Sequence, residues 1–271
     1  MKMQIGAMSV GDILDRGLKM LLARLPSYYA INVIVLLPYL LFQLAMPAWQ
    51  TGPMTGRAAA GIFLSVPLLA LLLLIILRPI GTAAILHIVA QEFIDQRASM
   101  GDAFRFAFHR FGRLLGASLL AGLIIGVGMF LCLVPGILFA IWYVFVGQVV
   151  VVEGLKGDRA LARSKDLTSG HRMRVFGMFL LFIVIGGVLG YLAGLLNTVL
   201  PSTEMVPSAS GPRIIINFGN YAIQTVVGVL VNILVESYGA ICWTLFYFDL
   251  RNRKEGFDLE LAARQQAAPA S

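Results

Sequence analysis

One side of the last apolar segment carries the residues best suited to chemistry. The polar, small and aromatic positions on that side recur at steps of three or four residues, and they are Thr225, Gly228, Asn232, Glu236, Gly239 and Trp243. Glu236 is the only acidic residue that the apolar segments enclose, and an ionisable residue in that setting is a candidate functional site. A cavity beside Asn232 and Glu236 could bind a proton, a cation or a small polar ligand.

A structural role for Glu236 is the alternative. Apolar surroundings favour the neutral carboxyl group, which can donate a hydrogen bond to Asn232 or to another helix. Arg78 becomes a charged partner only if the second apolar segment continues past Arg78-Pro79, and otherwise its side chain extends to the membrane interface. The sequence leaves both roles open.

The densest basic stretch lies between the fourth and fifth apolar segments. Arg163, Lys165, Arg172 and Arg174 flank a Thr-Ser-Gly turn there. Such a cluster can simply anchor the chain on one side of a membrane, or it can bind an anionic lipid headgroup or an acidic protein partner.

The sequence contains no motif typical of a metal site or of a catalytic nucleophile. His87, His109 and His171 lack the spacing of a helical zinc site, and Cys132 and Cys242 lie singly in apolar runs. Neither a phosphate-binding loop ending in Gly-Lys-Ser/Thr nor a Gly-x-Ser-x-Gly turn is present. We therefore predict no metal, no cofactor and no catalytic residue, and a protein that is not an enzyme.

The composition indicates that these residues are positioned by membrane helices. The 271-residue chain is 59% hydrophobic and only 13% charged, whereas a soluble domain is about 45–50% apolar and roughly 25% charged. The net charge of +7 does not indicate nucleic acid, because no basic patch is interleaved with stacking aromatic residues. Lipid is the solvent that suits the excess apolar surface.

Six apolar segments are long enough, or nearly so, to cross a bilayer. They lie near residues 27–46, 58–77, 114–134, 137–152, 175–196 and 221–248. We predict an all-α polytopic bundle that forms a single domain over residues 1–271. Val134-Pro135-Gly136 should turn the third and fourth spans into a hairpin. The connection from Asn197 to Gly219, with Pro201, Pro207 and Pro212, should be an irregular loop.

The basic residues predict the orientation of the spans. Of the 21 Lys and Arg residues, only Arg57 and Arg213 fall on the side opposite the N-terminus. By the positive-inside rule, both termini face the cytoplasm, and residues 249–271 form a cytoplasmic tail.

Amphipathic segments precede several spans on the same side. Ser9 and Asp12, like Ser99 and Asp102, have the spacing of a capping box, in which a serine and an acid three residues later cap a helix. With a similar segment at residues 157–161, they predict two or three interfacial helices, the first within residues 1–25. Small residues four apart favour close helix packing, within the chain more often than between chains, at Gly112 and Gly116, Gly122 and Gly126, and Gly186, Gly190 and Gly194.

Three further stretches carry a family resemblance. They are Ser9 to Arg16, Val151 to Gly154 followed by Ala160 to Ser164, and Tyr247 to Leu259. Together they resemble bacterial six-span proteins similar to the membrane domain of glycerophosphoryl diester phosphodiesterases. The resemblance implies a multi-pass protein of the bacterial inner membrane. It implies no phosphodiesterase activity, because the catalytic barrel of the fused proteins is a separate soluble domain.

Two functions remain. The first is a non-enzymatic module that scaffolds or regulates a membrane-protein partner or organises lipid. The alternative is a small transporter or channel with a polar cavity near Glu236 and Asn232.

Overall fold

The computed structural model of the chain describes residues 8–50, 56–93, 99–206 and 213–256. It separates into two compact units. The first unit comprises Met1–Ile31, Pro79–Leu181 and Ser237–Ser271, and the second comprises Asn32–Arg78 and Phe182–Glu236.

Helices make up nearly all of the described chain. In order they are α1 (Val10–Ala23), α2 (Leu25–Gln50), α3 (Gly56–Phe93), α4 (Met100–Leu131), α5 (Leu133–Tyr143), α6 (Val146–Gln148), a π-helix (Val149–Glu153), α7 (Asp158–Thr168), α8 (Arg172–Gly194), α9 (Leu196–Val199) and α10 (Phe218–Glu255). Strands β1 (Thr203–Val206) and β2 (Arg213–Ile216) pair antiparallel between α9 and α10, with Thr203 opposite Ile216.

Six helical segments are long and apolar enough to cross a membrane, which confirms the predicted all-α multi-pass bundle. They are Leu25–Met46, Val66–Glu92, Met100–Leu131, Leu133–Glu153, Arg172–Val199 and Phe218–Glu255. The sequence left open whether the second span ends at residue 77 or continues, and α3 continues through Arg78-Pro79 to Phe93. Transmembrane helices tolerate an internal proline when neighbouring groups satisfy the freed carbonyl.

The capping pattern at the start of α1 is confirmed. The Ser9 hydroxyl accepts from the Asp12 backbone N–H at 3.1 Å, and the Asp12 carboxylate accepts from the Ser9 N–H at 2.9 Å. These hydrogen bonds to Ser9 lower the pKa of Asp12, because they favour its charged form. Residues 1–7 lie outside the described chain, as do residues 257–271 of the expected tail.

The three expected interfacial segments are all helical, but they are not alike. Segments α1 and α7 are separate helices, whereas the second segment is the first part of α4. Ser99 caps α4 through Asp102, as the pattern predicted. With no proline between residues 102 and 131, the amphipathic and apolar parts of α4 form one continuous helix.

The turn between α4 and α5 lies earlier than expected. The helix breaks at Cys132, which is extended, and Val134-Pro135-Gly136 belongs to the first turn of α5. Proline is tolerated there because the first helical N–H groups have no acceptor in the helix. Close packing fixes the hairpin, since a Cβ on Gly128 would lie 2.6 Å from Phe139 Cδ2 and 3.1 Å from the Gly136 Cα.

Two other expectations need correction. The connection from Asn197 to Gly219 contains α9 and the hairpin of β1 and β2 rather than only irregular loop, because the isoleucine run at the end of β2 favours a strand. Pro207 and Pro212 lie outside the described residues. Of the spaced glycines, only Gly186 has a close neighbour among the described residues, since a Cβ added there would lie 3.7 Å from Val235 Cγ1. An added Cβ would meet nothing within 4 Å at Gly112, Gly116, Gly122, Gly126, Gly190 and Gly194.

The core of the first unit is aromatic. Phe145 is fully buried and its ring lies 5.8 Å from that of Phe246 and 6.0 Å from that of Tyr247. Edge-on and tilted rings at these distances attract one another in addition to the area they bury. This core holds the C-terminal half of α10 in place within the first unit.

Candidate functional site

A polar cavity lies in the second unit, between α2, α3 and α10. Its volume is about 280 Å³, near the lower end for small-ligand pockets. Its wall combines apolar and polar side chains, which are Leu36, Tyr39, Gln43, Leu74, Arg78, Gln224, Thr225, Gly228, Val229, Asn232 and Glu236. The expected polar face of α10 therefore lines this cavity at Thr225, Asn232 and Glu236.

An ion pair occupies one part of the cavity wall. Arg78 Nη2 lies 2.6 Å from Glu236 Oε1, and the two side chains remain 49% and 27% exposed. Of the two partners that the sequence left open for Glu236, the structure shows Arg78, because α3 continues past Pro79. Arg78 lies near the middle of Val66–Glu92, and Glu236 lies near the middle of Phe218–Glu255.

Further amide and hydroxyl groups continue the polar wall along α2 and α10. The Gln43 amide donates to Tyr39 Oη at 2.6 Å, and Tyr221 Oη donates to the Gln43 carbonyl at 3.0 Å. Gln224 donates to Asn197 Oδ1 at 3.2 Å. Between residues 224 and 236 the wall follows α10 for about 18 Å, at 1.5 Å of rise per residue.

Asn232 differs from its polar neighbours. Its side chain is exposed and makes no hydrogen bond within the described part of the chain. An amide offers two donors and an acceptor. Asn232, Arg78 and Glu236 together therefore leave both donors and acceptors available around one cavity.

Sequence reasoning found the α10 face but missed the residues that α2 contributes. Tyr39 and Gln43 are four residues apart in α2, so one helical face carries both polar groups. That spacing was a usable signal. Within the described residues, no group of three or more His, Cys, Asp or Glu side chains is arranged to hold a metal ion.

The basic stretch resolves into two kinds of residue. Arg163 and Arg174, expected to contact anionic lipid, are instead engaged by acids of the first unit. Arg163 Nε lies 2.9 Å from Glu153 Oε2, and Arg174 Nη1 lies 3.1 Å from Asp249 Oδ2. Burial acts to lower the pKa of Arg163, but its hydrogen bonds to Glu153 and Glu255 outweigh burial and raise that pKa above its usual value.

Lys165 and Arg172 form the second kind. Both are exposed, and both lie over the ring of Trp142, with Lys165 Nζ 4.3 Å and Arg172 Cζ 5.3 Å from its centroid. Neither forms an ion pair with a described residue. Of the four predicted contacts, these two keep charge available for an anion.

Asp249 forms the most completely satisfied polar cluster. Its side chain is 0% exposed and accepts from the Met8 N–H at 2.7 Å, from Arg174 at 3.1 Å and from Arg253 at 3.0 Å. Both arginines also donate to the Met8 carbonyl, at 2.9 and 3.0 Å. Asp249 thus ties the start of the described chain to α8 and to the end of α10.

Glu153 is the centre of a second cluster. It accepts from Arg163 and, at 2.7 Å, from Tyr247 Oη. The π-helix that presents Glu153 ends at Gly154, whose φ of 73° favours glycine. Arg110 donates to the carbonyls of Val150 and Val151 at 3.1 and 2.9 Å, which satisfies groups that this helix leaves unpaired.

Comparison with known proteins adds a family but no activity. A family model described as a domain of unknown function, DUF7847, matches residues 98–250. This range contains Glu153, Asp249 and Glu236. Searches of curated proteins and of solved structures each found no significant match.

Proposed function

The chain belongs to the DUF7847 family, whose function is unknown, and we propose that it is a small transporter or channel whose polar cavity binds a solute between α2, α3 and α10. The observation that carries this proposal is the ion pair of Arg78 with Glu236 in the cavity wall.

Energetics support a functional role for this pair. Charged residues inside a membrane are costly and as a rule face a cavity or a partner. Replacing a buried ion pair by packed apolar residues is often neutral or stabilising, so folding alone gives little reason to keep one. Arg78 and Glu236 also retain exposed surface toward the cavity, which a purely structural pair does not need.

Solute flux into proteoliposomes tests the proposal. The full chain is reconstituted, and swelling is followed in iso-osmotic solutions of potassium chloride, glycine and glucose. The double variant Arg78→Leu/Glu236→Leu should remain folded and lose the flux shown by the wild-type protein. Equal flux in both proteins, or none above empty liposomes for any of the three solutes in either, would count against a transporter with this cavity.

A single substitution separates the transporter from a structural role. Glu236→Gln keeps hydrogen-bonding capacity but removes the charge opposite Arg78. If the residue serves only to hold helices together, the amide should be tolerated, whereas a transport role predicts lost flux with an intact fold. Thermal unfolding in detergent provides the control for the fold.

The orientation and location of the protein are part of the same proposal. We infer that it spans a bacterial inner membrane with both termini in the cytoplasm. The placement of Arg57 and Arg213, alone among the basic residues, on the other side supports this arrangement. A C-terminal fusion to an enzyme that works only in the cytoplasm should be active, and a fusion to one that works only in the periplasm should be inactive. Activity of the periplasmic reporter would contradict the inference.

A scaffold or regulatory module is the second candidate. It is favoured by exposed glycines on α4 and α8 that meet no neighbour within the described chain, including Gly116 and Gly190. Such positions allow a helix of another protein to approach closely. Native mass spectrometry of the protein from its own membrane should then show a stoichiometric partner that is lost in Gly116→Leu or Gly190→Leu. A monomer in every preparation would count against this function.

A further inference from the structure

A small basic surface of the first unit is unlike the ion-paired clusters around it. Lys165 and Arg172 converge on Trp142, whereas the neighbouring acid, Asp166, lies within 3.5 Å of Arg163 and 3.8 Å of Lys254. The Asp166 carboxylate therefore pairs with Arg163 and Lys254 rather than with Lys165 or Arg172. Two exposed cations remain without a countercharge from the described residues.

The aromatic ring between these cations also has an unused donor. Trp142 Nε1 is buried and has no hydrogen-bond acceptor in the described part of the chain. Cation–π contacts hold the two charges close to one ring but do not neutralise them. The exposed Lys165 and Arg172 thus supply donors and positive charge at the surface, which suits an anion with several acceptor oxygens.

The surroundings indicate that the anion belongs to a lipid. Arg172 is the first residue of α8, and Phe176 and Leu180 follow it at steps of four along the same helical face. These two side chains are 37% and 51% exposed, and the adjacent Met173 is 80% exposed. A basic residue thus lies directly at the end of an exposed apolar strip.

Trp142 contacts Arg172, which is the first residue of the span Arg172–Val199. The site therefore lies at one end of that span. Basic residues near anionic headgroups gain roughly 1 kcal/mol each from the negative surface potential, equivalent to about a fivefold gain in affinity.

We propose that Lys165 and Arg172, held against Trp142, bind the phosphate of an anionic phospholipid whose acyl chains follow the apolar face of α8. The site is independent of the cavity in the second unit. Within the basic stretch, the lipid contact is thus limited to Lys165 and Arg172, because Arg163 and Arg174 already pair with Glu153 and Asp249.

Lipid retention by the purified full chain tests this site. The protein in mild detergent is mixed with equal amounts of phosphatidylglycerol and phosphatidylcholine that share the same acyl chains, and native mass spectrometry counts the lipids retained. Wild-type protein should retain phosphatidylglycerol preferentially. Lys165→Gln/Arg172→Gln should reduce that preference by more than tenfold, since two surface cations contribute roughly fivefold each.

Matched variants separate a site from general attraction. Lys156→Gln/Arg159→Gln removes the same charge from two exposed residues of the same connection and should keep the preference. Lys165→Arg/Arg172→Lys retains both charges and should also keep it. An equal loss in the first control, or no loss in Lys165→Gln/Arg172→Gln, would overturn the proposal.

Two further measurements cover the remaining outcomes. If the double variant unfolds, the single variants Lys165→Gln and Arg172→Gln replace it, and wild-type retention in both would overturn the site. Excess inorganic phosphate distinguishes the source of the anion. It should leave the bound phosphatidylglycerol in place, and its displacement of that lipid would contradict a phospholipid as the ligand.

Discussion

Asp249 and Glu236 lie on the same helix, α10, but in very different settings. Asp249, in the first unit, is 0% exposed and receives hydrogen bonds from Met8, Arg174 and Arg253. Glu236, in the second unit, has Arg78 as its charged partner, is 27% exposed and faces a cavity. One acid is fully enclosed by donors, and the other keeps acceptor capacity for something else.

This difference separates a structural acid from a candidate functional one. A buried charge stabilises a fold only when its hydrogen bonds are complete, because each missing bond leaves a desolvation cost. Asp249 meets that condition. Glu236 does not, and an incompletely satisfied ion pair beside a polar cavity is better explained by a ligand or by water than by packing.

The largest effect is expected at Asp249. Asp249→Ala leaves Arg174 and Arg253 without their carboxylate in a closed site, so the free energy of unfolding should fall by about 3–5 kcal/mol. Thermal unfolding in detergent measures the change. Asp166→Ala is the control, because that side chain is 63% exposed and its loss should have little effect. Equal stability of the two variants would contradict a structural role for Asp249.

A smaller loss is expected at the second cluster of the first unit. Glu153→Gln retains one acceptor for Tyr247 but removes the charge opposite Arg163. Hydrogen bonds to charged groups contribute about 1.5–3 kcal/mol, and a loss in that range is expected in thermal or denaturant unfolding. The conservative change Glu153→Asp tests whether side-chain length matters, because the shorter side chain should also weaken the contact with Arg163. A wild-type unfolding midpoint for both variants would contradict a structural Glu153.

Glycine substitutions compare the packing of the two units. Gly128→Ala places a methyl group 2.6 Å from Phe139 in the first unit, and such overpacking costs about 1–3 kcal/mol. Gly190→Ala, in the second unit, meets open space and should leave the unfolding midpoint unchanged. A destabilised Gly190→Ala would show a neighbour at that face in the purified protein, and would favour the scaffold function.

Only a small effect on stability is expected when both members of the ion pair in the cavity are replaced. Arg78→Leu/Glu236→Leu removes both charges together, so no unpaired charge remains and the unfolding free energy should change by at most about 1 kcal/mol. Glu236→Leu alone should be less stable than the double variant, because Arg78 then lacks its partner. A double variant less stable than either single variant would show that the pair is mainly structural.

The sequence predicted the helices well because their signals are local. Apolar length identified the six spans, and Ser9 and Asp12 identified a helix start. The partners of the acids could not be found in the same way. Met8 and Asp249 are 241 residues apart, and no local pattern predicts such a contact.

A local signal misled at one proline and left another undecided. Pro135 was expected to form the turn after Val134, yet it lies in the first turn of α5. At Pro79 the sequence left open whether the second span continues, and because α3 does continue, Arg78 is the partner of Glu236. Proline removes one backbone hydrogen bond but does not by itself end a helix. In a membrane bundle, the neighbouring groups decide whether the helix continues.

Cysteine accessibility along α10 tests most directly whether Glu236 borders a water-filled cavity. In a Cys132→Ser/Cys242→Ala background, Asn232→Cys places a thiol in the cavity wall, and Leu230→Cys places one on an exposed apolar position two residues away. A charged, membrane-impermeant thiol reagent should modify Cys at position 232 and not at position 230 when the protein is in a bilayer. Protection of both positions would contradict a water-accessible cavity and with it the proposed transport function.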